Sequence, residues 1–151
     1  ELDGYYADAA VTVGVPPVSE EAQRLVACAE AAWQAGASAA RAGSRLREIG
    51  GAVEREVERR GFRVLRELCG HGIGRAIHED PEVVNFFAPG AKERVTEGLV
   101  LALEPIVCAG TRECRDSADG WTVASADGSL TAHYEHTIVV GKGAPLVLTA
   151  A

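Results

Sequence analysis

One glycine-rich stretch combines a histidine with an unusually permissive backbone. Residues 69–81 read CGHGIGRAIHEDP, so three glycines alternate around His71, and His78 follows seven residues later. Glycine has no Cβ and lets the backbone approach another group closely, and a neutral imidazole nitrogen is the commonest metal ligand in proteins. The pattern favours a loop that brings His71 close to a bound group; a glycine-rich turn with a surface histidine is the competing interpretation.

Three acidic side chains fall within segments that otherwise look like structural strands. Asp8 lies in the alternating segment 5–13, Glu104 in the apolar run 99–107, and Glu135 in the alternating segment 131–140. Any one of them alone is compatible with a salt bridge or a half-solvated face. Together in a core they would repel one another strongly, so a cation would be needed to compensate them.

These residues form a mixed nitrogen and oxygen donor set that suits a divalent metal. One imidazole and three carboxylates favour manganese, iron, cobalt or zinc over calcium or magnesium. A centre of two such ions can activate water at neutral pH and polarise a carbonyl group. Because a regular strand would place His71 and His78 on opposite faces, we expect His71 to bind metal and His78 to contact substrate.

Two helices and several short strands are predicted to position these residues. Ser19 is a good N-cap for a first helix whose apolar face continues to Gly36, and a second helical pattern covers 46–57 and ends at Gly61. Residues 62–68 read as a short strand. Pro105 cannot donate a ladder hydrogen bond, which predicts that the strand carrying Glu104 lies at a sheet edge or is bulged there.

Composition narrows the classes of partner and the cellular location. The 151 residues carry a net charge of −7, and no basic cluster offsets it, so nucleic-acid binding is not expected. No run of 18 apolar residues occurs, which argues against a membrane partner. The four cysteines form no C-x-x-C pair and are interpreted as reduced thiols, as in a cytoplasmic protein.

Several motifs, in order, resemble the type I methionine aminopeptidases. The glycine-histidine stretch continues into His78-Glu79-x-Pro81 and is followed by Leu103-Glu104-Pro105, Asp119-Gly120-Trp121-Thr122-Val123 and Tyr134-Glu135-His136-Thr137. Residues 4–8, GYYAD, are similar to that family's hairpin with its second metal-ligand aspartate. The resemblance covers nearly the whole chain, and the surroundings of His78 and Trp121 favour this family over the related proline-directed peptidases.

The resemblance implies an α+β pita-bread fold and a metal-dependent aminopeptidase that removes the initiator methionine from nascent proteins. By position, Asp8, His71, Glu104 and Glu135 would be the metal ligands, and Glu104 would also be the general base. His78 would hydrogen-bond the substrate, and Trp121 would line the methionine site. The implied partners are nascent peptide N-termini; a ribosome contact is compatible with this role, although no residue here points to one, and we expect a monomer.

The resemblance also predicts an incomplete site. The family's first ligand aspartate lies about a dozen residues before its second, which places it ahead of Glu1. We therefore interpret residues 1–151 as a single catalytic domain truncated at its N-terminal side. Of the two metals in the family, one would be held well, the second would be weakened, and the isolated chain would be inactive. The alternatives are a peptidase of the same fold directed at Xaa-Pro bonds and a non-catalytic member that binds a peptide or partner.

Overall fold

The computed structural model describes residues 1–150, in which two helices lie against a mainly antiparallel sheet. This arrangement confirms the predicted α+β class. Neither helix has the length and apolar character needed to span a membrane. The elements are β1 (Ala9–Val11), α1 (Glu20–Ala39), α2 (Leu46–Arg59), β2 (Arg63–Val64), β3 (Cys69–Gly72), β4 (Glu79–Val84), β5 (Val100–Leu103), β6 (Ile106–Cys108), β7 (Cys114–Asp116), β8 (Val123–Ser125), β9 (Thr131–Val139) and β10 (Leu146–Val147).

Both helices begin and end where local chemistry requires. The Ser19 hydroxyl accepts a hydrogen bond from the Ala22 N–H at 3.2 Å, as predicted for the N-cap of α1. At the start of α2 the Glu48 carboxylate accepts the Arg45 N–H at 2.9 Å. Gly61 follows α2 with φ of +84°, a left-handed conformation that favours glycine. The sequence prediction for both helices is therefore confirmed.

The strand β9 organises the sheet because it has partners along both of its edges. The main path of the sheet is β2-β6-β9-β5-β3-β4. Along one edge of β9, β6 pairs with its first third and β5 with its last half. His136 pairs with Leu103 of β5 and also with Ala9 of β1, so β1 must lie on the opposite edge. β10 follows β1 on that edge. The nine residues of β9 thus hold the N-terminal strand and the centre of the chain together.

The two faces of β9 have different environments. Ala132 and Ile138 belong to the apolar clusters formed with α1 and α2, and the ring of His136 lies 5.1 Å from that of Trp33 on α1. His136 therefore packs on the helix side of the sheet and is structural. Because side chains alternate along a strand, Glu135 and Thr137 project to the face away from the helices, yet both are buried. This second face carries the candidate site.

The predicted strands are longer than those in the structure. β1 covers Ala9–Val11 only, so Asp8 lies directly before the strand and not in its middle. The predicted strand over 62–68 is reduced to Arg63–Val64. Glu104 falls in the interval between β5 and β6, where neither strand is assigned. Apolar patterning extends past the assigned strands because flanking residues such as Leu65 are also buried.

The prediction that Pro105 marks an edge or a bulge is wrong. Leu103 pairs with His136 and Ile106 pairs with His133, so the register against β9 is continuous through the proline. Pro105 is fully buried. Its carbonyl accepts the Tyr134 N–H at 3.4 Å, so Pro105 and its missing donor face β9. On the other side of the chain the Asn85 amide donates to Glu104 O at 3.1 Å and Leu68 O at 3.4 Å. A side chain thus replaces part of the ladder.

Gly50 allows α2 to lie against the chain that leaves β4, and replacing it with alanine is expected to destabilise the fold. A Cβ at this position would lie 2.3 Å from Val84 O and 2.4 Å from Phe86 O. Alanine gains about 1 kcal/mol of helix propensity, but backbone carbonyls cannot move aside cheaply. We expect Gly50→Ala to lower the free energy of unfolding by about 2 kcal/mol, as measured by urea denaturation.

Gly90→Ala is the matched control for this prediction. Gly90 has open space around its Cβ position and no positive φ, so its replacement should change the free energy of unfolding by less than about 0.5 kcal/mol. Equal effects at the two positions would show that the close approach of α2 does not limit stability.

Candidate metal centre

His71 is held in a strand, and its glycine neighbours serve the packing of the sheet. The predicted loop is wrong, because His71 lies in β3 between β4 and β5. A Cβ at Gly70 would lie 2.4 Å from Ala102 O, and one at Gly72 would lie 2.1 Å from Asp80 O. The glycines therefore let neighbouring strands approach closely, and a register shift between His71 and Gly72 accompanies them.

The hydrogen bonding of the His71 ring leaves one nitrogen free for a ligand role. Nδ1 lies 2.9 Å from the carbonyl oxygen of Gly72, which can only accept, so Nδ1 carries the proton. Nε2 is then the unprotonated nitrogen and points toward Glu104, with 3.3 Å between Nε2 and Oε1. The side chain of His71 is buried. An imidazole fixed by a backbone carbonyl in this way is typical of metal-ligating histidines.

All four predicted ligands meet on the face of the sheet away from the helices. Asp8, His71 and Glu135 each offer one ligand atom within 4.8 Å of the others. Glu104 joins them through the Nε2 of His71. The continuous register of β5, β6 and β9 places Glu104 opposite Glu135 across the ladder. Residues distant in sequence are thus brought together by β9 and its neighbours on both edges.

The backbone of Asp8 is fixed by a threonine on β9. The Thr137 hydroxyl accepts the Asp8 N–H and donates to the Asp8 carbonyl, both at 2.8 Å. Thr137 is fully buried. This pair of bonds holds Asp8 at the site although no strand is assigned to it.

Replacing Thr137 with valine should therefore loosen Asp8 while keeping the shape of the core. The change leaves the Asp8 N–H and C=O without partners, and we expect a loss of about 1–3 kcal/mol in the free energy of unfolding, together with weaker zinc binding by calorimetry. Thr131→Val, at the exposed start of the same strand, is the control. If both variants bind zinc as the parent does, the Thr137 hydroxyl does not position Asp8.

Burying the carboxylates of Glu104 and Glu135 is energetically unfavourable in the absence of a cation. Burial, together with the charges of Glu135 and Asp8, raises the pKa of Glu104 to about 8. Burial and the Asp8 charge raise the pKa of Glu135 to about 7. The Oε1 atom of Glu135 is buried without a hydrogen-bond partner. Such groups are expensive to bury unless they coordinate a metal, so the residues present fit a divalent cation.

His133 is a further residue of this cluster that the sequence reasoning did not assign. Its Nε2 lies 3.6 Å from Glu104 Oε2 and 3.6 Å from Glu135 Oε2, and the three residues form a second candidate ligand group. Burial lowers the pKa of His133, against the opposing effect of Asp8. The available signal was its position two residues before Glu135, on the same face of β9.

The two predicted substrate-binding residues lie in different surroundings. The ring of His78 is exposed and lies 4.4 Å from the ring of His71. Both line a cleft of about 600 Å³ together with Cys69 and Glu82. Trp121 lies between β7 and β8 and is 90% exposed, and its backbone N–H donates to the Asp119 carboxylate at 3.0 Å. The substrate roles of His78 and Trp121 stay predictions.

The fold and the cluster are those of a known class of metal-dependent peptidases. Residues 1–142 match the model of metallopeptidase family M24, and the chain belongs to this family. The architecture is accordingly the pita-bread fold, as predicted. A prolidase from Thermococcus sibiricus shares it with a TM-score of 0.75 over 98% of this chain and 35% of its own, but at 21% identity it is informative about the fold alone. Membership in the family implies that a divalent metal is bound.

Within this family the chain is similar to methionine aminopeptidases, which confirms the predicted resemblance. The methionine aminopeptidase of Clostridium perfringens is 45% identical over 148 residues, covering 98% of this chain and 59% of the relative. The structure of methionine aminopeptidase from Thermotoga maritima matches with a TM-score of 0.94 and 36% identity, over 99% of this chain and 60% of that protein. The chain thus spans about 60% of the length of these relatives.

Proposed function

We propose that this chain carries the catalytic residues of a methionine aminopeptidase, which removes the initiator methionine from nascent proteins. The observation that carries the proposal is the meeting of Asp8, His71, Glu104 and Glu135 around one point of the sheet. The names of the relatives at 37–45% identity support the choice of substrate. Nascent peptide N-termini are the proposed partners and the cytoplasm the proposed location.

The proposed metal ligands are the four predicted residues, with cobalt, manganese, iron or zinc as the cation. A divalent cation held there supplies Lewis acidity, which polarises a carbonyl group and lowers the pKa of water. Glu104 lies beside the free nitrogen of His71 and is the proposed base that takes a proton from the attacking water and passes it to the leaving amine. The position of His78 at the cleft suits a hydrogen bond to the scissile peptide.

The buried carboxylates argue against the non-catalytic alternative. A peptide-binding module gains nothing from two buried glutamates whose pKa values are raised to about 8 and about 7. The Xaa-Pro alternative uses the same fold and metal chemistry, so only substrate choice separates it from the proposal. The resemblance of the prolidase is limited to the fold and does not favour that substrate.

The test is peptide hydrolysis by this chain joined to the portion of the Clostridium perfringens relative that it does not match. With added divalent metal, the fusion should release methionine from Met-Ala-Ser and leave uncleaved the Xaa-Pro peptides whose first residue is not methionine. The unfused chain is the second arm and is expected to be inactive. Preferential cleavage of the Xaa-Pro peptides would establish the alternative, and a metal-loaded fusion that hydrolyses neither peptide would refute the proposal.

A further inference from the structure

The Nε2 atom of His133 is buried and has no hydrogen-bond partner. Its nearest acidic neighbours are Glu104 Oε2 and Glu135 Oε2, each at 3.6 Å. This separation is too long for a hydrogen bond, which joins nitrogen and oxygen at about 2.7–3.2 Å. A buried nitrogen lying between two carboxylate oxygens, bonded to neither, requires an explanation.

The spacing fits atoms that share a cation. Ligand atoms about 2.1 Å from an ion in tetrahedral geometry lie roughly 3.4 Å from one another. The His133 nitrogen and the two carboxylate oxygens are at 3.6 Å, and the predicted ligand pair His71 and Glu104 is at 3.3 Å. The distance from the His133 nitrogen to the carboxylate oxygens is therefore similar to that of the predicted ligand His71.

Glu135 provides an independent sign of a ligand at this point. Its side chain is only 5% exposed, and its Oε1 has no hydrogen-bond partner. It belongs both to the group with Asp8 and His71 and to the group with Glu104 and His133. Because a carboxylate has two oxygens, Glu135 can serve two cations at once, one on each side.

The backbone of His133 is held as firmly as that of Asp8. The Thr12 hydroxyl accepts the His133 N–H at 2.8 Å and donates to the His133 carbonyl at 3.0 Å. The Thr137 hydroxyl makes the same two bonds with Asp8. Thr137 on β9 and Thr12, directly after β1, thus fix two residues at the same cluster. In each case the fixed residue offers an atom to a candidate ligand group.

We propose that His133 is a ligand of a second divalent cation, which it holds together with Glu104 and Glu135. The first cation is held by Asp8, His71 and Glu135 with Glu104. The inference rests on the metal centre of the proposed function and revises the expectation that the chain holds only one metal well. One imidazole and two carboxylates form a donor set that suits the same transition metals as the first position.

The test is zinc titration of this chain followed by long-range ¹H–¹⁵N NMR correlation of its four imidazole rings. The method reports the state of each ring nitrogen through carbon-bound protons, so solvent exchange at the half-buried His133 does not hide it. Zinc is diamagnetic and belongs to the proposed set of metals. Histidine variants assign the signals, and equilibrium dialysis with metal analysis gives the zinc content of each protein.

Zinc should move the Nε2 signals of both His71 and His133 to those of metal-bound nitrogens, with about two zinc ions per chain. His133→Gln should bind one ion fewer and keep the bound signal of His71. His136→Gln, whose ring hydrogen-bonds Thr149 and Tyr134 on the helix side, should bind as the parent does.

A His133 nitrogen that keeps its zinc-free signal while the His71 nitrogen is metal-bound overturns this inference and leaves the proposed metal centre intact. It would mean that His133 only positions Glu104. If neither nitrogen responds, both the inference and the proposed centre fail. The zinc response of the parent chain decides between these outcomes, and variants of the other three histidines assign the His133 signal by elimination, so the result does not depend on whether His133→Gln folds.

Discussion

Glu104→Gln is expected to abolish peptidase activity while making the metal-free protein more stable. Glutamine keeps the size of the side chain and one carbonyl oxygen, but it cannot take up the proton of an attacking water. Loss of a general base costs about 10²- to 10⁴-fold in rate. In the metal-free protein the same change removes a carboxylate whose burial between Glu135 and Asp8 raises its pKa to about 8, so the neutral amide is accommodated more easily at neutral pH.

The opposite signs of these two effects make the prediction specific to a functional carboxylate. Methionine release by the fusion protein measures the first, and urea denaturation of the metal-free chain at pH 8 measures the second. Glu93→Gln is the control, because Glu93 is an exposed residue of the connector before β5. Activity of Glu104→Gln within twofold of the parent would remove Glu104 from the mechanism, whatever its effect on stability.

The helices and the ligand set could be predicted because their signals are local or chemically unusual. The Ser19 cap and the left-handed Gly61 need only a few neighbouring residues to be recognised. Carboxylates such as Glu104 and Glu135 stand out because an apolar run rarely contains an acid without a reason. The resemblance to the type I methionine aminopeptidases then assigned roles to these residues.

The remaining features depend on contacts between residues distant in sequence. The carbonyl oxygens of Glu104 and Leu68 lie where no strand is assigned, and both accept from the amide of Asn85, which directly follows β4. Gly70 and Gly72 are required because carbonyl oxygens of neighbouring strands lie where a Cβ would be placed. The local sequence does not reveal those oxygens. The sequence does not single out His133, because a histidine near a glutamate is common. Only its distances to two carboxylates in the folded chain indicate a ligand role.

The metal-free protein is expected to lose stability as the pH rises from about 5 to about 8. Glu104 and Glu135 have pKa values of about 8 and about 7 in the folded state, against the ordinary value of about 4.3 in an unfolded chain. Between these values the folded state binds more protons than the unfolded state, so the free energy of unfolding falls with increasing pH. Since each unit of pKa shift corresponds to about 1.4 kcal/mol, Glu104 alone predicts a loss of roughly 4 kcal/mol between pH 5 and pH 8, and Glu135 acts in the same direction.

His133 acts in the opposite direction at the acidic end. Burial lowers its pKa in the folded state, so the unfolded state binds the extra proton and stability falls as the pH drops below about 6.5. Glu56 and Asp119, whose pKa values are lowered to about 2, act in the same direction but at more acidic pH. Near pH 6, His133 therefore reduces the slope without reversing it.

Urea denaturation of the metal-free chain from pH 5 to pH 8, with and without zinc, measures the effect. Zinc should abolish the decline, because a cation favours the ionised carboxylates that burial alone disfavours. Glu104→Gln should flatten the metal-free profile by removing the group with the larger shift, whereas Glu93→Gln should reproduce the parent profile. A metal-free stability that is constant across this range would mean that water reaches both carboxylates in solution, and the cluster would then lack the dry surroundings that make a cation necessary.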